Sequence, residues 1–378
     1  MKVVIATDSF KGTLTSYEAG VAIKEGILRA NPEAEVIVRG IADGGEGTFD
    51  VITKACGGSF AEVKVPGPLF KEVTARYGII EDPSSRRTTA VIDISQACGL
   101  TLVPPKLRDP LYTTSAGVGR IILDALDRGC RRFIIGLGGS ATNDCGTGML
   151  QALGIRLKDS EGGEIDVGAL GLAELSRIDE TRFDERIGES EFLIACDVNN
   201  PLTGENGCSM VYAPQKGASE EACRRMDGWI EAFARLVKLK HPDADPSLPG
   251  AGAAGGLGFT FRTFFDGEMV SGAKLVAQQT RLVDYVIDAD IIITGEGRLD
   301  GQTLMGKAPH AVARLGAFAG AKVIAFAGCL GADAAELYKH GFDEIYSISE
   351  RVGIEESMRE AASLLTQKAY EVFDGRTI

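Results

Sequence analysis

At 378 residues, with 44% apolar and 25% charged side chains, the chain has the make-up of a folded protein with room for two cores, which excludes a disordered one. A net charge of −13, from 53 acids against 40 bases with no long Lys/Arg run, excludes nucleic acid and an anionic membrane surface as partners. Eight scattered cysteines with no Cys-x-x-Cys pair, and no apolar run approaching the roughly 18 residues of a membrane span, point to reduced thiols and a cytoplasmic protein.

From the amino terminus, KVVIA at 2–6 reads as a strand that passes through TDSFKGTLT into a helix whose start is marked by Thr15 and Glu18 at capping-box spacing. EVIVRGIA at 35–42 repeats the design, leading through DGGEGT into the helical FDVITKAC. Between 60 and 96, FAEVKVPGP, EVTARYGIIED and RTTAVIDISQ read as strands in meander-like succession, and Pro66 and Pro68 confine the first to a sheet edge. RRFIIGL at 131–137 is again a strand, followed by GGSATNDCGTGM, and FLIAC at 192–196 ends on Asp197. Ser219 is placed to cap EEACRRMDGWIEAFARLVKLK, after which PDADPSLPGAGAAGGLGF at 242–259 carries too much Pro and Gly for regular structure and reads as a linker or a binding loop. ADIIITG at 289–295 restores the strand, loop and helix order, with a helix from Pro309.

Strand followed by helix at both chain ends predicts an α/β fold of two domains. One is a doubly wound parallel sheet built from 1–60 plus 285–378, and the other an inserted mixed α/β domain over 61–284. Ligands of such sheets collect beyond the carboxyl ends of the strands. The polar residues there are Asp8, Ser9 and Lys11; Asp43 and Glu46; Ser140, Thr142, Asn143 and Asp144; Asp197; and Glu296, Arg298 and Asp300. Any one of these acids or hydroxyls is as well explained by helix capping, Asp43 and Asp144 above all. Acids at five strand ends, however, call for a positive partner, and magnesium with phosphate suits their oxygen ligands.

Two motif matches weaken on inspection. Gly136-x-Gly138-x-x-Ala141 fits the loose dinucleotide fingerprint, but its helix begins too late and is too short, which leaves an NAD-dependent hydroxy-acid dehydrogenase as the weaker alternative. Gly301-x-x-x-x-Gly306-Lys307 fits the Walker loop until Ala308, where the magnesium-binding hydroxyl belongs, and the plain reading of Lys307 is a solvated residue before a helix. Three histidines and no Gly-x-Ser-x-Gly elbow leave a serine hydrolase without support. Phosphoryl transfer remains: Gly138, Gly139, Ser140, Thr142 and Asn143 would give amides and hydroxyls to anionic oxygens, and Lys11, Arg298 and Lys307 would bring the charge that this loop lacks. A non-catalytic nucleotide-binding protein is the third reading.

The stretches ATDSFKGTLTS at 6–16, ADGGEGT at 42–48, TSAGVG at 114–119, GLGGSATNDCGTGM at 136–149, CDVNNPLTG at 196–204, YAPQKGA at 212–218, GAAGGLGF at 252–259 and TGEGRLDGQTLMGKAP at 294–309 resemble, in this order, the bacterial type of glycerate kinase. The resemblance implies a flavodoxin-like part within a two-domain α/β architecture, with ATP, Mg2+ and D-glycerate as ligands and 2-phosphoglycerate as the expected product. The roles expected are Lys11 and Arg298 as phosphate or carboxylate cations and Asp197 as proton acceptor. Asp8, Ser9 and Lys307 are expected to bind substrate or nucleotide; Glu296 and Asp300 are expected to hold magnesium, with Asp43 as alternate. An interdomain cleft that closes on the substrates is also expected, and a homo-oligomer is compatible with the sequence.

Overall fold

The structure, a computed structural model, describes residues 1–81, 87–350 and 352–376. Asp82, the last residue of the second meander strand expected, lies outside the described residues. The chain divides into two compact units: Met1–Asp43 with Asp50–Cys56 and Ser271–Ile378, and Gly44–Phe49 with Gly57–Val270.

The first unit is built on a five-stranded sheet in the order Glu344–Ser347, Lys322–Leu330, Ile291–Leu299, Lys2–Ile5, Glu35–Val38, with every neighbouring pair parallel. Counted along the chain within the unit, this is the flavodoxin-like order 2-1-3-4-5, whose direction reverses between Lys2–Ile5 and Ile291–Leu299. A parallel sheet is covered on both faces, so its central strands carry unbroken apolar runs; Val3, Val4, Ile5, Ile291, Ile292 and Ile293 are all buried. The helix Ser16–Ala30 starts at a true capping box, in which Thr15 Oγ1 accepts from Glu18 N at 3.2 Å and Glu18 Oε2 accepts from Thr15 N at 2.9 Å. It packs Ile23 and Ile27 into the core shared with Leu365, Ala369 and Phe373 of the helix Ala361–Phe373. Gly26 permits that close approach, because a side chain there would run into the Thr366 carbonyl.

The second unit carries a six-stranded sheet in the order Glu268–Val270, Glu191–Ala195, Arg132–Gly136, Thr88–Asp93, Glu72–Glu81, Ser59–Pro66. The first four strands are parallel and the last two are added antiparallel, with the Pro66 strand at the edge as its missing donor requires. Phe133 and Phe192 are register partners whose buried rings stack at 4.6 Å, each contributing about 1.5–3 kcal/mol by burial. Asp93, Gly136 and Ala195 also lie abreast, so three loops leave the sheet at one level, about 5 Å apart.

Two segments depart from the expectation. The strand Ile291–Leu299 runs on through Gly295-Glu296-Gly297-Arg298, read above as loop, and pairs with Lys322–Leu330 along its length. Gly328 makes room, since a Cβ there would lie 2.5 Å from the Gly297 carbonyl oxygen. The Pro/Gly-rich stretch at 242–259 is no linker: the helix Ala253–Phe264 begins inside it, through Ala254, Gly255 and Gly256 at φ of 53°, 69° and 96°. Most of this helix is buried, and Gly255 abuts the Thr142 carbonyl so tightly that only glycine fits. No helix among the described residues is long and apolar enough to cross a membrane.

Candidate active-site loops

In the first unit the ladder extends beyond Ile5, with Ala6 N donating to Ile293 O at 2.7 Å and Asp8 N to Gly295 O at 2.8 Å. Asp8 is thereby fixed beside Glu296 at the point where the strand order reverses. Its Oδ1 accepts from Ser9 N at 2.6 Å. Burial, and then repulsion from Asp43 and Glu296, hold the Asp8 carboxyl well above the usual range against the pull of Ser9 and Lys11. Glu296 is likewise raised by burial and by Asp43, with Lys307 and Thr303 opposing. Its Oε1 accepts from Thr303 Oγ1 at 2.8 Å, and its Oε2 lies 3.5 Å from Lys307 Nζ.

Glu296 and Lys307 border a cavity of about 300 Å³ that Ser9, Lys11 and Arg298 also line, together with apolar Ile348, Ile354 and Met358. Of the residues expected here, Ser9, Lys11, Glu296, Arg298 and Lys307 line this cavity. Asp8 precedes Ser9 and is buried, and Asp43 is half-buried within reach of both other acids by charge. Asp300 is placed differently: its Oδ2 is 3.0 Å from Arg298 Nε, and its Oδ1 accepts from Gln302 N at 3.0 Å as the cap of Gly301–Leu304. Among the described residues no three His, Cys, Asp or Glu side chains gather into a ready-made metal site. Magnesium does not require one, since it characteristically takes one or two carboxylates and completes its shell with water and substrate phosphate. Mutually repelling acids such as Asp8, Asp43 and Glu296 fit that donor set.

In the second unit the glycines of GLGGSA serve backbone packing. A side chain on Gly138 would collide with Gly45, and one on Gly136 would lie 2.6 Å from the Gly44 carbonyl oxygen. Asp93 secures the same contact by accepting from Gly47 N at 2.7 Å and Phe49 N at 3.1 Å, and burial keeps its carboxyl well above the usual range despite these bonds. Ser140 follows Gly139, which is left-handed at φ 74°. Thr142, Asn143 and Asp144 then turn inward and are fully buried. Asn143 Nδ2 donates to Ser209 Oγ at 2.8 Å. Asp144 accepts from Ser115 N at 2.9 Å, Ser115 Oγ at 2.7 Å and Gly146 N at 3.2 Å, so its role is to fasten the turn. Asp197 is half-buried just past its strand, on the neighbouring loop.

Sequence reasoning passed over Lys216. Its ammonium, 3% exposed, donates to Ser140 Oγ at 3.0 Å and to the Thr142 carbonyl at 2.7 Å, so it is the cation that the glycine loop lacks in its own sequence. Burial draws its pKa down to about 8, against the opposing influence of Cys208, Cys98 and Asp144. The available signal was the polar YAPQKGA, where a lysine precedes a glycine that proves left-handed at φ 99° and packed on the Arg108 carbonyl. The histidines are engaged elsewhere: His241 pairs with Glu180 at 3.1 Å, and the His310 and His340 rings meet at 6.1 Å. The helix after the glycine loop, Thr147–Ala152, is short and late, as the dinucleotide fingerprint does not allow.

Comparison with known proteins agrees over the whole length. The glycerate kinase family matches residues 3–376. A glycerate kinase from Halalkalibacterium halodurans is 44% identical over 371 residues, 98% of this chain and 97% of the relative. A glycerate 2-kinase from Escherichia coli is 42% identical over 363 residues, 96% of this chain and 94% of the relative. A solved structure from Salmonella typhimurium LT2 that carries the name glycerate kinase 2 superposes with a TM-score of 0.84 at 40% identity, covering 99% of this chain and 98% of its own.

Proposed function

Because the chain belongs to the glycerate kinase family, we propose that it transfers the γ-phosphoryl group of ATP to a hydroxyl of D-glycerate, with magnesium and in the cytoplasm, to give 2-phosphoglycerate. The observation that carries this reading is the cavity in which Lys11, Arg298 and Lys307 border Ser9 and the buried Glu296, a charge pattern suited to a magnesium triphosphate. Lys11 and Arg298 would bind the phosphate oxygens, with Arg298 oriented by Asp300. Glu296, with Asp43 and Asp8 beside it, would hold the magnesium ion, directly or through water. Bound there, the metal would neutralise charge on the phosphoryl oxygens. Asp197 would take the proton of the attacking glycerate hydroxyl, which supplies a nucleophile as the phosphorus–oxygen bond to ADP breaks.

The test is a coupled ADP-release assay over three- and four-carbon sugar acids, with the product identified by NMR. Magnesium-dependent ADP release with D-glycerate and phosphorus on the C2 oxygen is expected. ATP binding without ADP release would favour a nucleotide sensor, and NAD-dependent oxidation of the same acids would favour a dehydrogenase; either result overturns the proposal.

A further inference from the structure

Lys216 ends the short turn Pro214–Lys216 and is buried, yet both of its hydrogen-bond acceptors, Ser140 Oγ and the Thr142 carbonyl, are neutral. Among the described residues no carboxylate pairs with it. Asp144, whose charge it feels, already accepts from Ser115 and Gly146. A buried ammonium without a counter-ion is strongly unfavourable, so a fold that keeps one has a use for an anion nearby.

The neighbouring loop shows where that anion would sit. The amides of Gly138, Gly139 and Ser140 donate to no acceptor among the described residues, and with Gly139 left-handed, successive free amides of this kind form a concave anion seat. The Ser95 hydroxyl, on a residue 6% exposed, also lacks a partner among the described residues. Its Cβ is 3.5 Å from the point where a side chain on Gly139 would begin.

Resting on the glycerate kinase reading, we infer that Lys216 is a positioning residue for the substrate carboxylate: it holds the Ser140 hydroxyl and charges the floor of a seat formed by the Gly138–Ser140 amides and the Ser95 hydroxyl. Charge matching selects the carboxylate over the triphosphate. One ammonium offsets a monovalent anion, whereas the first unit gathers three cations around its cavity. The titratable groups facing Lys216 are Cys98, Cys208 and Asp144, and burial outweighs all three in setting its value of about 8. A carboxylate arriving at the loop stabilises the protonated form, so binding above that pH takes up a proton.

Calorimetric titration of the full chain with D-glycerate, and separately with ADP, at about pH 8.5 in two buffers of different ionisation enthalpy reads this directly. Wild type is expected to take up a fraction of a proton with glycerate. Lys216→Met is expected to bind glycerate at least about tenfold more weakly, without proton uptake and with unchanged ADP affinity. Ser140→Ala, which keeps the buried lysine, should weaken glycerate about threefold to tenfold at a wild-type melting temperature, and decides the question if Lys216→Met does not fold. Unchanged glycerate affinity in a folded variant, or a loss confined to ADP, overturns the inference. Wild-type protein that turns over no glycerate overturns the kinase reading itself, a failure visible before any variant is made.

Discussion

The two units place polar residues at the same topological position, beyond the carboxyl ends of parallel strands, but they hold charge in opposite ways. In the first, Lys11 and Arg298 are exposed on long side chains, while the acids behind them are buried and raised in pKa by burial and mutual repulsion. In the second, the cation itself is buried and fixed by two hydrogen bonds, and the acid nearest it is saturated by amides and a hydroxyl. Exposed cations act through a field that salt screens; a buried one acts through geometry and responds to pH. The first arrangement suits a flexible, highly charged ligand, and the second suits a small one that must be oriented.

The sharpest way to break this contrast is Asp197→Ala, for which we expect kcat to fall about 10²- to 10⁴-fold with ADP affinity unchanged; full turnover would remove the proton-acceptor role. Asp144→Asn places an amide donor among the donors of Ser115, Gly146 and Gly148, and a stability loss of about 2 kcal/mol in a denaturant titration is expected, whereas a neutral result would deny that this acid fastens the turn. Replacing both Lys11 and Arg298 by Ala should raise the nucleotide KM about tenfold and flatten its dependence on salt, while the glycerate KM stays nearly salt-independent in either protein. Equal salt slopes for the two substrates would erase the distinction between the units. The smallest effect expected lies away from both clusters. Glu344, half-buried at the opposite end of the first sheet, accepts from Arg376 at 2.7 Å and pairs with Lys322 at 2.6 Å; although burial opposes them, these partners hold its carboxyl at about 2. Its folded value lies below the unfolded one, so its contribution is complete above the ordinary carboxylate range and is lost as pH falls towards about 2. Glu344→Gln should therefore cost on the order of 1 kcal/mol near neutral pH and converge with wild type in acid, with turnover unaffected.

Periodic segments were the legible part of the fold. The apolar runs of Val3–Ile5 and Ile291–Ile293 declare buried parallel strands, Thr15 with Glu18 declares a helix start, and Pro66 declares an edge. Ser219 caps its helix as read, accepting from Ala222 N at 3.2 Å. Local patterns say nothing of what a distant segment presses against, and the misread regions are of that kind. GEGR looks like loop until Gly328 lets a neighbouring strand approach, and GAAGGLG looks flexible until Thr142 and Cys145 close around it. Of the residues that line the first unit's cavity, Lys11, Arg298 and Glu296 show their charge in the chain. Lys216 was not recognisable, because a lysine in a polar turn resembles any surface lysine until Ser140 and the Thr142 carbonyl are seen to receive it.

The central strand Lys2–Ile5 leaves the ribosome long before Ile291–Leu299, one of its two neighbours. During synthesis that strand must wait, one edge unsatisfied, while the whole sheet from Ser59 to Val270 emerges and can form in a single run. Chains released early, before residue 291, would display a bare apolar edge prone to pairing with its like, so faithful translation through Ile291–Leu299 is what protects Lys2–Ile5.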